Sequence, residues 1–170
     1  MHQPIAGVAP PELSEVVTMT VWPTIGATAP GRLVGRLAAI SWGYGFFTLG
    51  KLLAVATIPL SMAVFFWQLM PFVCRRYTLT NRRLIIRRGL RATDERWISL
   101  DEFDVIDVEI LPGQEWLHAG EVVFKRSGTE LLRFSGVSRP EVFRQVCLKA
   151  HDALILVREV LRQQASAAGV

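Results

Sequence analysis

The sequence predicts a mainly β domain closed by a C-terminal α-helix and preceded by a transmembrane helix. Three observations carry this. Leu52 to Val73 is a run of 22 residues without one charged side chain. From Arg75 onward the apolar pattern changes from helical to alternating, the period of a strand. From Ser138 an apolar stripe recurs at spacings of four and three, the period of a helix face.

Taken in order, Met1 to Glu12 is rich in proline and alanine, and the segment 1–31 reads as flexible apart from a short strand at Glu15 to Trp22. Ala27 to Gly31 reads as a linker. Residues 32–73 form the membrane region. Within it, Leu33 to Gly50 combines Arg36 with Trp42, Tyr44, Phe46 and Phe47, aromatics that favour the headgroup level, and is expected to be interfacial. The spanning helix is assigned to Leu52–Val73, which at about 1.5 Å per residue reaches about 33 Å, against a hydrocarbon core of about 30 Å. Pro59 is expected to kink it without ending it. One crossing or two both remain open.

Residues 74–164 form the predicted domain, with 165–170 as a flexible tail. Arg75 to Thr80 and Arg83 to Arg88 are strands around the turn Asn81-Arg82, closed by Gly89. Glu95 to Ser99, Phe103 to Ile110, Glu121 to Arg126 and Leu131 to Ser135 follow, separated by Pro112-Gly113, Gly120 and Ser127-Gly128. Ser138 and Glu141 have the spacing of a capping box, with Pro140 in the first turn. The stripe Phe143, Cys147, Ala150, Leu154, Val157 and Leu161 is then the face that packs on the strands.

Charge is unevenly distributed. The net charge is +4, but Arg75 to Arg91 holds seven arginines and no acid, and Asp94 to Glu109 holds seven acids against Arg96. This predicts two differently charged surfaces. Two cysteines give no disulfide framework and no zinc spacing. The first 31 residues lack lysine and arginine, so no cleaved secretory signal is expected.

The stretch Tyr77-Thr78-Leu79-Thr80-Asn81-Arg82-Arg83-Leu84, continued by Ile86 and Gly89, lies directly behind the apolar segment. With Ile98-Ser99-Leu100, Phe103, Val105 and Val108 it resembles the bacterial membrane-flanked family of pleckstrin-homology-like (PH) domains, over Tyr77 to Ala150. The resemblance implies two packed β-sheets, a sandwich or barrel closed by the C-terminal helix. It also implies seven strands where six follow the anchor. Either Glu15 to Trp22 supplies the seventh, or the alternation conceals one. The first hairpin loop is about two residues, too short to imply specific inositol-phosphate binding.

Functionally, no nucleophile–base pairing or phosphate-cradling glycine loop is evident, so no enzyme, cofactor or small-molecule substrate is expected. The acids Asp101 to Glu109 fall on both faces of a strand and are read as salt-bridged or solvated surface, not as a metal site. Nucleic acid is disfavoured because exposed aromatics do not interleave with the arginines. Trp97 is read as core, Trp116 as a lid over the core beside His118, and Cys74 as a plain residue at a helix end. The leading expectation is a non-catalytic binding or scaffolding module, integral to the inner membrane with its C-terminal domain cytoplasmic. It would engage the bilayer and a protein partner or a second copy of itself. The alternative is direct recognition of anionic lipid headgroups by Arg75, Arg76, Arg82, Arg83, Arg87 and Arg88.

Overall fold

Strand β4 (Arg75–Thr80) turns at Asn81-Arg82 into β5 (Arg83–Arg88), and β6 (Thr93–Ser99) continues the meander. Residues 15–40, 43–44, 47–70 and 73–168 of the computed structural model are described here. The free edge of β4 is covered by β1 (Val17–Val21), giving an antiparallel sheet in the order β1-β4-β5-β6. A second antiparallel sheet holds β7 (Val105–Glu109), β8 (Ala119–Arg126) and β9 (Thr129–Ser138) in sequence order. The seventh strand is therefore the N-terminal one, and the alternation after Arg75 concealed none.

Alternation decides what faces inward. Tyr77 and Leu79 of β4 and Leu84 of β5 join Phe124 of β8 and Phe134 of β9 in one core. The Tyr77 and Phe134 rings stack at 4.4 Å between centroids. The Tyr77 hydroxyl donates to the Ser135 carbonyl (2.9 Å) and accepts from the Ser135 amide (3.1 Å), so one side chain ties the two sheets. Burial pushes its phenol up to about 12.

Helix α4 (Pro140–Ala168) closes the core with Phe143, Cys147 and Leu154, all buried. Val157 and Leu161 continue the stripe half-buried. The helix begins with Pro140, so Arg139, at φ 49°, takes the position before it and its carbonyl accepts from the Val142 and Phe143 amides. Ser138 ends β9, one residue too early for the expected capping box. Glu141 pairs with Arg144 instead.

The predicted linker Ala27–Gly31 takes in the last residue of a 3-10 turn (Ile25–Ala27) and the start of α1 (Ala29–Ala38). Thr28 caps that helix by accepting from the Gly31 amide (3.2 Å), with Pro30 in the first turn. A Cβ at Gly35 would stand 1.9 Å from the Gly113 carbonyl oxygen, so glycine is what lets α1 lie on the loop after β7. Arg36 Nε donates to the Pro112 carbonyl across the same contact (3.1 Å). The segment expected as interfacial, 33–50, is thus divided between α1, the short antiparallel pair β2 (Gly43–Tyr44) and β3 (Phe47–Thr48), and the start of α2.

The uncharged run does not form one helix. It is built as α2 (Leu49–Ala56) and α3 (Ile58–Leu69), bent by 51° at Thr57. Pro59 occupies the first turn of α3, where its missing amide costs nothing, so it begins a helix where a kink was expected. Among the described residues no single helix is long and apolar enough to cross a membrane, though the bent pair together has that length and composition. The expected flexibility of Met1 to Glu12, the placements of Trp42 and Phe46, the helix at residues 71–72 and the tail at 169–170 lie outside the described residues.

Candidate functional site

The candidate surface is the β4–β5 hairpin with its β6 flank. Thr80 organises the turn: its hydroxyl accepts from the Arg82 and Arg83 amides (3.2 and 2.9 Å) and donates to the Arg83 carbonyl (2.9 Å). Asn81 anchors the chain entering β1, accepting from the Val16 amide at Oδ1 and donating its own amide to the Val16 carbonyl, both at 3.1 Å.

Register then decides the partners. Arg75 stands opposite Arg88, and Arg76 opposite Arg87, at the hairpin's open end. Such like-charge pairs repel unless compensated, and β6 supplies the compensation because it carries the start of the acidic block. Arg87 faces Asp94 (3.0 Å) and Arg75 reaches Glu95 (3.1 Å). Arg83 grips Glu15 through two nitrogens at 2.7 Å each, with its guanidinium 5.4 Å from the centroid of Trp97. The hydrogen bond from Arg83 is the main reason the Glu15 carboxyl is held below its usual range. Arg76 donates to the Gly89 and Leu90 carbonyls and lies over Trp22 at 5.2 Å, so it closes the β5–β6 turn. Arg82 sits half-buried in the hairpin turn, and Arg88 is exposed at the end of its strand.

The two charge blocks consequently do not form two surfaces. The fold sets the start of the acidic block, Asp94 and Glu95, beside the arginines, and most of the remaining acids are taken by other neighbours. Asp107 pairs with Lys125 and Glu109 with Arg133, while Asp101 binds Arg158 of α4. The Arg158 contact, with help from the Ser99 hydroxyl, lowers the Asp101 carboxyl to about 2. Glu102 and Asp104 accept from the Ser99 and Ser127 amides. Among the described residues no group of three or more His, Cys, Asp or Glu converges as a metal site would.

Three clefts are lined by Arg75, and the two larger differ in character. One, of about 340 Å³, lies between the domain and α3 and is lined by Trp22, Pro23, Phe65, Gln68 and Leu69. The other, of about 330 Å³, runs between the sheets past Tyr77, Glu95, Arg96 and Arg133. The first is apolar and the second carries both signs of charge. Neither holds a nucleophile beside a base.

Two aromatic assignments are corrected here. Trp97 is 54 % exposed: it shares the outer face with Ile85, opposite Ile98, and is not core. Trp116 is 48 % exposed, so about half of its surface stays open where a closed lid was expected. The buried polar side chain of its loop is Gln114. That side chain donates to the Gly26 carbonyl (3.0 Å) and to Glu121 Oε1 (2.7 Å), and accepts from the Leu111 amide (3.0 Å). The Gly136 amide also donates to Glu121 (3.3 Å). The signal for this pair was Glu121 itself, an acid directly before the apolar run Val122-Val123-Phe124.

Among comparisons with known proteins, a family model described as "Bacterial PH domain" matches residues 24–151. No curated protein and no solved structure matches the chain.

Proposed function

The chain belongs to the bacterial PH domain family, and from that premise we propose that it is a non-catalytic binding module anchored by α2–α3 at the cytoplasmic face of the inner membrane, presenting its β domain to a protein partner or a second copy. Anchoring raises the effective concentration of whatever the domain binds at that face. The exposed apolar side chains of α2 and α3, with Lys51 in the first turn of α2 and Arg75 and Arg76 after α3, support the anchor.

The observation that carries the choice of protein over lipid is the pairing of Arg75, Arg83 and Arg87 with Glu95, Glu15 and Asp94. A headgroup would have to displace a carboxylate at each, and exposed pairs of this kind gain only about 0–1 kcal/mol from either partner. The second reading, headgroup recognition, draws on Arg82 and Arg88 at opposite ends of the hairpin. The variant Arg82→Glu/Arg88→Glu separates them, because it leaves the three named pairs in place. Flotation of the full chain with vesicles of 30:70 phosphatidylglycerol to phosphatidylcholine should match flotation with pure phosphatidylcholine, for both wild type and variant. A preference for the anionic vesicles that the variant loses would transfer the function to lipid recognition.

A further inference from the structure

We infer that α2–α3 enters one leaflet of the bilayer and returns to the side it left, so that the chain is held without crossing. This rests on the membrane-anchored reading above. The argument begins in the sheet. β1 precedes the apolar segment and β4 follows it, yet they are hydrogen-bonded neighbours, Val21 opposite Tyr77 and Val17 opposite Thr80. A sheet is not shared across a bilayer, so the number of crossings between these strands is even. A single span over Leu52–Val73 would put them on opposite faces.

Two crossings do not fit either. α1 is fixed to the domain through Arg36 and Gly35, and Cys74, just before β4, is buried. Residues 39–73, 35 in number, lie between Ala38 and Cys74. Backbone in hydrocarbon must satisfy itself as helix, so this length reaches about 52 Å, and out and back only about 26 Å, against about 30 Å for one crossing. The chain uses still less. The Gly50 amide bonds the Ile40 carbonyl (3.0 Å), which returns the start of α2 to the end of α1. At the other end Gln68 donates to the Thr24 carbonyl (3.4 Å), just before α1 begins. The bent pair therefore arches alongside α1 with both feet on the domain.

The occupant of its outer face is hydrocarbon. α3 has no buried residue, and Val55, Phe66 and Trp67 are 64, 57 and 63 % exposed. A helix that is apolar all round belongs in an apolar medium. The polar groups at the bend are closed internally, as that medium demands: Thr57 Oγ1 donates to the Ala54 carbonyl and Ser61 Oγ to the Thr57 carbonyl, both at 3.0 Å. Lys51 and Arg75 then stand at the two points where the arch leaves the headgroups.

The test uses the full chain reconstituted in phosphatidylcholine–phosphatidylglycerol vesicles, with two cysteines added at a time and a membrane-impermeant maleimide applied from outside. The native Cys74 and Cys147 are buried and serve as the unreactive background. Molecules of Thr18→Cys/Thr129→Cys should carry two labels or none, whatever their orientation in the vesicle. Molecules carrying one label would mean a single span and overturn the inference while leaving the anchor intact. In Leu60→Cys/Thr129→Cys only Thr129→Cys should react, and a bimane at Leu60→Cys should be quenched by lipids with a nitroxide on the acyl chain. Reaction at Leu60→Cys from the face opposite Thr129→Cys would mean two crossings and overturn it. So would an unquenched bimane on membrane-bound protein, which would place a second copy over the arch. Release of the wild-type chain by alkaline carbonate would instead remove the anchored reading itself.

Discussion

At the scale of single residues, stability rests on a few side chains that do more than fill space. Tyr77 bridges the sheets at Ser135, so Tyr77→Phe leaves a carbonyl and an amide short of a partner and should cost about 1–3 kcal/mol in chemical denaturation. Gln114→Leu should cost at least as much, because it strips a donor from the buried Glu121 carboxylate. If Glu121→Gln in the Gln114→Leu background recovers none of the loss, the carboxylate was not what Gln114 served. Phe143→Ala should cost about 3–5 kcal/mol, the range for truncating a large core aromatic. Legibility at this scale followed phase. The stripe on α4 was readable because one helix face is buried and its period is distinctive. Trp97 was misread because residue type was allowed to outweigh position, although period two already put it on the face opposite Ile98. Glu121 left a trace in the sequence but its partner Gln114 did not, since the Gly26 carbonyl that Gln114 binds lies 88 residues away.

Among the elements, α4 shows best how local pattern and tertiary contact divide the work. Its stripe outruns the core, which suggests a projecting helix, but Arg158 binds Asp101 and fastens the helix to the β6–β7 connection. Truncation after Glu159 should therefore leave the thermal midpoint nearly unchanged, whereas truncation after His151 removes Leu154 and Arg158 and should lower it by several degrees. The same contact has a pH signature. The Asp101 carboxyl is depressed from 3.8 to about 2 when folded, so its contribution is present above about pH 4 and is lost as pH falls towards 2. Both partners are more than a third exposed, so solvent screening keeps the effect small. Amide exchange in residues 155–168 should quicken across that window, and Arg158→Ala should flatten the dependence. The charge blocks teach a related lesson. Their sequence separation suggested separate surfaces, but antiparallel pairing makes neighbours of residues that flank a turn, so Arg87 meets Asp94.

On the scale of the whole molecule, the order of strands and the closing helix were legible from alternation, turn residues and the Tyr77–Leu84 motif. The N-terminal third was not. Ala27 to Gly31 reads as linker and Leu33 to Gly50 as interfacial because the use of their glycines is tertiary: Gly31 and Gly35 make room for neighbouring backbone. The orientation is also testable at this scale. Seven arginines in 75–91 against Arg32, Arg36 and Lys51 before the apolar run favour a cytoplasmic domain. A green fluorescent protein fused after Val170 should fluoresce and an alkaline phosphatase fused there should be inactive; the reverse result would place the domain outside.

The pairing of β1 with β4 also sets an order in time. Its partners lie 56 to 63 residues apart, from Val21 with Tyr77 to Val17 with Thr80. A ribosome therefore releases β1 well before the strand it completes, and the whole apolar arch must emerge in between. Until the arch has settled, β4 carries an open edge, the kind of template on which chains aggregate. Closing a loop of this length is slow compared with forming the adjacent β4–β5 hairpin. The last strand to join the sheet should thus be the first one made, and its arrival would mark the moment at which insertion and folding are both complete.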